Sequence, residues 1–206
     1  MFNWETLLYT IPPMLFALTF HEFAHAWTAY MLGDPTAKQM GRLTLNPLKH
    51  LDVVGTILLI FAHFGWAKPV PFNPLYIKGD RRRGTLLIAL AGPLSNLLLA
   101  YLSGWIVSFI LRGWIPFIPW VYQMFSYSIY INLILAAFNI IPVPPLDGSK
   151  ILGNLLPAKW APTLYQLEQY GPLLLILLVI TGGTDLIFSP IVSFLSKLVA
   201  VGTGLA

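Results

Sequence analysis

The run from Thr85 to Leu111 contains no charged residue and is mainly apolar. A helix needs about 20 such residues to cross the hydrocarbon core of a bilayer, so this run is long enough to span one. The whole chain follows the same pattern, with 10% charged and 57% hydrophobic residues, whereas soluble domains have roughly 25% charged residues. The sequence therefore predicts an all-α polytopic membrane protein.

Further apolar runs predict about five to six membrane segments. These form a single membrane-embedded domain, residues 1–206, with a core at about 6–155 and a C-terminal helical pair at 170–202. The predicted spanning segments lie at residues 6–32, 85–111, 121–141, 172–181 and 191–201. A shorter run at 53–66 lies between two basic stretches, which can both face the cytoplasm only if this run enters and leaves on the same side. We expect it to be a re-entrant or interfacial element.

The basic residues give the chain a formal net charge of +4 and lie mostly in short connections between apolar runs. Cytoplasmic loops of membrane proteins carry such residues. The charge therefore indicates orientation in a lipid bilayer rather than binding to nucleic acid. No basic region precedes the first apolar run, so we expect this segment to be retained rather than cleaved as a signal peptide.

His21, Glu22 and His25 form an HExxH pattern inside the first apolar run. On a helix, two histidines four residues apart share one face and can bind one zinc ion. The glutamate lies about 100° further round the helix, where it can take a proton from the water that the metal activates. His and Glu at membrane depth are costly and generally functional. Because the chain has no cysteine, any further ligand must be His, Asp or Glu.

Asp147 is the best candidate for the third protein ligand that a catalytic zinc site needs. It directly follows an apolar run, whereas the other acidic residues lie in loops, at the outer side or in an interfacial stretch. Pro142, Pro144 and Pro145 cannot continue a helix, so the chain must unwind before Asp147. Non-helical backbone at membrane depth is tolerated where it lines a cavity. We predict a site sunk from the cytoplasmic face, and an ordinary Asp-Gly turn is the alternative.

Both motifs resemble those of the site-2 protease family of intramembrane zinc metalloproteases, in which an HExxH helix precedes an Asn-x-x-Pro-x-Pro-x-Leu-Asp-Gly segment. The second motif corresponds here to residues 139–148, and the family's Gly-x-x-x-Asn element is matched by residues 92–96. The resemblance implies one catalytic zinc ion held by His21, His25 and Asp147. It also implies that Glu22 is the general base, and that the reaction is hydrolysis of a peptide bond within or near a transmembrane segment of a substrate protein.

By the same resemblance, Asn139 and Asn96 are expected to bind substrate, and Asn139 could also stabilise the oxyanion. An Asn in a membrane helix can equally form an interhelical hydrogen bond. The chain has no room for the PDZ or CBS domains that many members carry. It therefore resembles the small bacterial or archaeal type, which implies a multi-pass protein of the prokaryotic cell membrane with its active site towards the cytoplasm.

The stretch from Gly65 to Pro74 could hold the unwound substrate as a short β element with one usable edge. In an extended chain the N–H groups of residues two apart point to the same side, so Pro69 and Pro71 would remove donors from one edge only. Val70 and Phe72 would keep theirs on the other edge. A proline-rich interfacial loop is the alternative.

Two other functions remain open at this point. A non-proteolytic regulator or a metal transporter could use the same His and Asp groups, but it would need no base, so Glu22 distinguishes these functions from a protease. A membrane protease of the prenyl-protein type also uses HExxH. That type would call for a Glu or His ligand in a later spanning segment, and the predicted spanning segments after the first contain neither residue.

Overall fold

The computed structural model describes residues 4–53, 55 and 67–205. Within these ranges the chain is mainly α-helical and contains no named strand. The helices with described bounds, numbered in chain order, are α1 (Trp4–Met31), α2 (Thr36–Gln39), α3 (Arg81–Leu111), α4 (Pro119–Ile140), α5 (Asp147–Leu155), α6 (Ala161–Ile180) and α7 (Gly183–Thr203).

Helix α3 is central to the packing and contacts α1, α4, α5 and α7. Small residues at these interfaces allow the helix backbones to approach closely. One apolar cluster joins α3, α4 and α7 and consists of Ala100, Leu133, Ala136, Ala137, Leu195 and Val199. A second cluster packs α1 and α3 against the chain that precedes α3 and consists of Ala29, Ile77 and Ile88. Helix α3 is therefore the frame against which the elements carrying the predicted site residues are held.

Among the described residues, three helical regions are long and apolar enough to cross a membrane: α3, α4 and Leu186–Thr203 of α7. These helices also expose large apolar side chains such as Leu98, Trp105 and Phe194, which suits contact with lipid. The prediction of an all-α membrane protein is confirmed. The number of segments stays a prediction, and the expected re-entrant element at 53–66 lies largely outside the described residues.

Several predicted helix limits were wrong. Helix α3 begins at Arg81 rather than 85, because the Asp80 side chain accepts hydrogen bonds from the N–H groups of Arg82 and Arg83 and caps the first turn. The last two helices, α6 and α7, are much longer than the predicted segments at 172–181 and 191–201. The predicted segments covered only the most apolar runs, whereas α7 continues through Pro190, as membrane helices tolerate.

The predicted β element near residues 65–74 is represented in the described residues by one isolated antiparallel bridge between Leu51 and Ala67. Residues 68–73 continue as irregular extended chain up to a 3-10 turn at Pro74–Tyr76. This stretch returns beside α1, because the N–H of Lys78 donates to the carbonyl of Leu32 just after the end of that helix.

Candidate active site

His21 and His25 lie one turn apart on α1, as the HExxH spacing predicts. Both are buried, and their rings meet edge to face with the centroids 4.7 Å apart. The two Nε2 atoms are 3.0 Å from each other. The helix therefore brings two potential metal-binding nitrogens to one point inside the protein.

Asp147 reaches the same point from the other side of the site. Helix α4 ends at Ile140 and is followed directly by the proline-rich stretch, residues 141–146. Asp147 is the first residue of the short helix α5. Its Oδ2 lies 3.1 Å from Nε2 of His21 and 3.0 Å from Nε2 of His25. A position in the first helical turn also favours the ionised carboxylate, because the N-terminus of a helix carries partial positive charge.

The other nitrogens of the two rings have fixed partners. Nδ1 of His21 donates to Oδ1 of Asn96 at 2.6 Å, and Nδ1 of His25 donates to the carbonyl of Ile88 at 2.7 Å. The amide nitrogen of Asn96 donates in turn to Oδ1 of Asn132 at 2.9 Å, so its oxygen must face His21. Each imidazole therefore carries its proton on Nδ1 and presents a free lone pair at Nε2.

These hydrogen bonds direct two ring nitrogens and one carboxylate oxygen towards one another across about 3 Å, an arrangement that needs a proton or a metal ion between them. His, His and Asp form a donor set suited to zinc. The ligands of a tetrahedral zinc ion, at bond lengths of about 2.0–2.1 Å, lie roughly 3.3 Å apart, so these atoms need to move by only ~0.3 Å. The residues present therefore fit a zinc ion.

Glu22, the second residue of the HExxH pattern, is also buried. Its Oε2 accepts a hydrogen bond of 2.9 Å from the backbone N–H of Val70. One oxygen of the carboxylate is thus held by the chain that precedes α3, and the carboxylate has a fixed orientation beside the metal-binding residues.

Gly92 of α3 lies directly against the two histidines. A Cβ atom added there would lie 2.4 Å from Nε2 of His25 and 2.6 Å from Nε2 of His21. No larger residue fits unless the rings or the helices move. The Gly-x-x-x-Asn element therefore supplies two features of the site: a close approach at its glycine and a hydrogen-bond acceptor at its asparagine.

The residues predicted to bind substrate fall into two groups. Asn96 is fully buried behind His21, so we now propose that it orients a metal ligand rather than contacting substrate. Asn139 donates to the carbonyl of Leu135 in its own helix, and no hydrogen bond among the described residues joins it to the metal-binding group. Val70 contacts Glu22. Phe72 lines a cavity of about 320 Å³ together with Pro142 and Pro144 of the proline-rich stretch.

Sequence reasoning missed Asn132 and the role of Gly92. Asn132 is fully buried, links Asn96 to α4, and donates to the carbonyl of Ser128 in its own helix. Its position in an otherwise apolar run was a signal that could have found it, because polar residues in membrane helices usually form interhelical hydrogen bonds or serve function. The clash at Gly92 depends on the approach of two helices and has no local signal.

A buried His–His–Asp group beside a glutamate, carried by the helices of a membrane protein, is the donor set of a zinc metalloprotease. Comparison with known proteins identifies the family. The model of peptidase family M50 matches residues 116–179, which include α4, the proline-rich stretch and Asp147.

The chain is also similar to named proteins over most of its length. It is 42% identical over 177 residues to a Bacillus subtilis protein named "Putative zinc metalloprotease YwhC", covering 84% of this chain and 80% of YwhC. It is 30% identical over 174 residues to Rip2 of Mycolicibacterium smegmatis, whose name carries the same description, covering 83% of this chain and 66% of Rip2. No solved structure matches the chain significantly. The chain belongs to peptidase family M50, the site-2 protease family, and is a zinc metalloprotease.

Proposed function

We propose that this protein is an intramembrane endopeptidase that hydrolyses peptide bonds within or near transmembrane segments of other membrane proteins. The observation that carries the proposal is the convergence of three buried donor atoms, from His21, His25 and Asp147, within 3.1 Å of one another. They lie among helices whose outer faces are apolar, and Glu22 directly follows His21 in the sequence. A site in this setting meets substrates that are themselves in the membrane.

In the proposed mechanism, His21, His25 and Asp147 hold the zinc ion. When bound, zinc acts as a Lewis acid that activates water and polarises the substrate carbonyl. Asn96 and the carbonyl of Ile88 keep the protons of both imidazoles on Nδ1, so that both Nε2 atoms stay available as ligands. The burial of all three ligand side chains limits the access of bulk water and strengthens their interactions with charge.

Glu22 acts as the general base in this proposal. It takes a proton from the attacking water at one carboxylate oxygen and later delivers it to the leaving amine. The hydrogen bond from Val70 to Oε2 holds the carboxylate while this happens. A transporter or a regulatory metal site has no use for a glutamate held in this way, so the observed contact favours the protease over these alternatives.

The unwound substrate segment is proposed to lie along residues 70–72. Phe72 lines the cavity of about 320 Å³ whose other walls include Pro142 and Pro144, close in sequence to Asp147. The cavity thus adjoins both the chain that holds Glu22 and the chain that supplies the third ligand. We propose that Val70, Phe72 and Asn139 contact the substrate there, Val70 through its carbonyl or side chain because its N–H is bound to Glu22.

The proposed location is the cell membrane, with several spans and the active site towards the cytoplasm. The stretch between α1 and α3, which holds Glu22 through Val70, carries many of the basic residues: Lys38, Arg42, Lys49, Lys68 and Lys78. Basic connections of this kind face the cytoplasm. Substrates would therefore be cut near the cytoplasmic side of their transmembrane segments.

Glu22→Gln tests the proposed mechanism with little disturbance of the site, because the glutamine amide oxygen can still accept the hydrogen bond from Val70. Purified wild type and Glu22→Gln are compared for zinc content and for cleavage of a panel of single-span substrates. We expect equal zinc content and a loss of cleavage of about 10²–10⁴-fold, as removal of a general base produces. Equal cleavage rates would refute Glu22 as the base, and failure of both proteins to cleave any substrate would favour the non-proteolytic functions.

A further inference from the structure

Besides Glu22 and the metal-binding group, two charged residues are buried in the described part of the chain, and both belong to the connection after α1. Asp34 is fully buried and Arg42 is 6% exposed. Among the lysines and arginines of the described residues, Arg42 alone is buried. Burying a charge is costly unless it is well paired. Both residues have hydrogen-bond partners in residues 68–73.

Asp34 holds one end of an extended segment, residues 68–73. Its Oδ2 accepts a hydrogen bond of 2.6 Å from the backbone N–H of Asn73. Its Oδ1 accepts from the N–H and the hydroxyl of Thr36 at 2.9 and 2.5 Å. The carboxylate is thus fixed to the start of α2, and through it the end of the 68–73 segment is fixed near the end of α1.

Arg42 holds the other end of the same segment. Its Nη2 donates to the carbonyl of Lys68 at 2.5 Å, and the N–H of Lys68 donates to the carbonyl of His50. Nε of Arg42 is buried and has no hydrogen-bond partner within the described part of the chain. Burial lowers the pKa of Arg42, and the charge of Glu22 opposes this only in part.

The middle of the segment contacts Glu22. Between Pro69 and Pro71, which have no N–H, Val70 supplies the one backbone donor, and that donor binds Oε2 of Glu22 at 2.9 Å. The two prolines also restrict φ on either side of Val70. With both ends fixed and little freedom between them, the direction of the Val70 N–H is determined by the positions of Lys68 and Asn73.

We propose that Arg42 and Asp34 are positioning residues for Glu22 and act on it through the 68–73 segment. The inference rests on the proposed function in one respect, namely that Glu22 is the general base. Neither residue touches substrate or metal in this proposal. Each keeps the Val70 N–H on the carboxylate, so that the oxygen that takes the proton stays in the orientation needed for proton transfer.

The consequence is a specific kinetic pattern. Loss of either residue should lower kcat by about 10- to 100-fold, the effect of misplacing a catalytic group by roughly 1 Å. KM should change by less than about 3-fold, and zinc content should stay at the wild-type level, because none of the metal ligands depends on the 68–73 segment for a hydrogen bond. A residue that only stabilised the fold would lower the melting temperature and leave kcat of the folded protein unchanged.

The test uses purified full-length protein with a single-span substrate that the wild type cleaves. Arg42→Met removes the charge and the donor, Arg42→Lys keeps a charge and one donor, and Lys49→Met removes an exposed charge from the same connection as the matched control. We expect reduced kcat with normal zinc content in Arg42→Met, substantial recovery in Arg42→Lys, and wild-type kinetics in Lys49→Met. Wild-type kcat in Arg42→Met, or loss of its zinc together with its activity, would overturn the inference.

Asp34→Asn provides the second variant, which decides the question if Arg42→Met does not fold. An amide has one oxygen in place of two, so it must present its NH₂ group either to the N–H of Asn73 or to that of Thr36, and one end of the segment is released. The same kinetic pattern is expected. If Asp34→Asn has wild-type kcat while Glu22→Gln is inactive, the inference is refuted and the proposed function is not. An active Glu22→Gln would instead refute the proposed function.

Discussion

Gly92→Ala should disrupt the metal site by adding a single carbon atom. The added Cβ would lie 2.4 Å from Nε2 of His25 and 2.6 Å from Nε2 of His21. Non-bonded carbon and nitrogen atoms normally approach to about 3.5 Å, so roughly 1 Å of movement is needed. That movement must come from the histidine rings or from a separation of α1 and α3.

Either movement acts on the atoms that hold the metal. Loss of second-sphere support alone typically weakens metal binding by about 10- to 100-fold, and Gly92→Ala displaces two ligands directly. We therefore expect zinc affinity to fall at least about 100-fold, equivalent to about 2.8 kcal/mol at about 1.4 kcal/mol per tenfold. Zinc affinity is measured by competition with a chromophoric chelator, together with the zinc content of the purified protein.

Gly104→Ala is the matched control in the same helix. Its added Cβ would contact the side chain of Thr203 in α7, at 2.8 Å from Cγ2, and Gly104 lies more than three helical turns from Gly92. This change should lower the melting temperature without changing zinc affinity. Wild-type zinc affinity in Gly92→Ala would refute the geometry described for the two histidines.

The remaining predictions concern the partners of these groups. Asn132→Leu should weaken zinc binding up to about 10-fold in the same chelator assay, because Asn96 loses the nearer of the two acceptors of its amide, Oδ1 of Asn132 and the carbonyl of Ala17; unchanged affinity would contradict this role. Val70→Pro removes the donor to Glu22 and should lower kcat at least about 10-fold at normal zinc content, with Val70→Ala as the control that keeps it. Phe72→Pro should impair cleavage if this segment offers a strand edge to substrate, and unchanged turnover of a folded variant would exclude that edge. Removal of zinc by a chelator should lower the melting temperature, since a ligand that binds only the folded state stabilises it; an unchanged transition in calorimetry would count against a metal held by these residues.

The sequence could predict the parts of the site that depend on local geometry. The face shared by His21 and His25 follows from the helical repeat, and the break before Asp147 follows from Pro142 and the prolines after it. The structure agrees, with α4 ending at Ile140 and Asp147, the first residue of α5, buried against the two histidines. The role of Glu22 as base rests on the same local pattern and stays a prediction.

Features that depend on the approach of distant elements could not be predicted. Arg42 looks like one more basic loop residue in the sequence, and its burial appears only once residue 68 is folded against it. Asn96 was expected to bind substrate because its motif was recognised without its partner, whereas the structure directs its oxygen to His21. The single N–H left between Pro69 and Pro71 could be read from the sequence, but its bond to Glu22 could not.

The most direct test of the central claim is the position of the cut together with the metal content. Wild-type protein and Glu22→Gln are reconstituted in liposomes with a single-span substrate, the product termini are mapped by mass spectrometry, and zinc per chain is measured in the same samples. We expect about one zinc per chain in both proteins, with new termini inside or next to the substrate's transmembrane segment, towards its cytoplasmic end, in the wild type alone. Termini confined to a distant extramembrane region, or the same products from Glu22→Gln, would contradict the account.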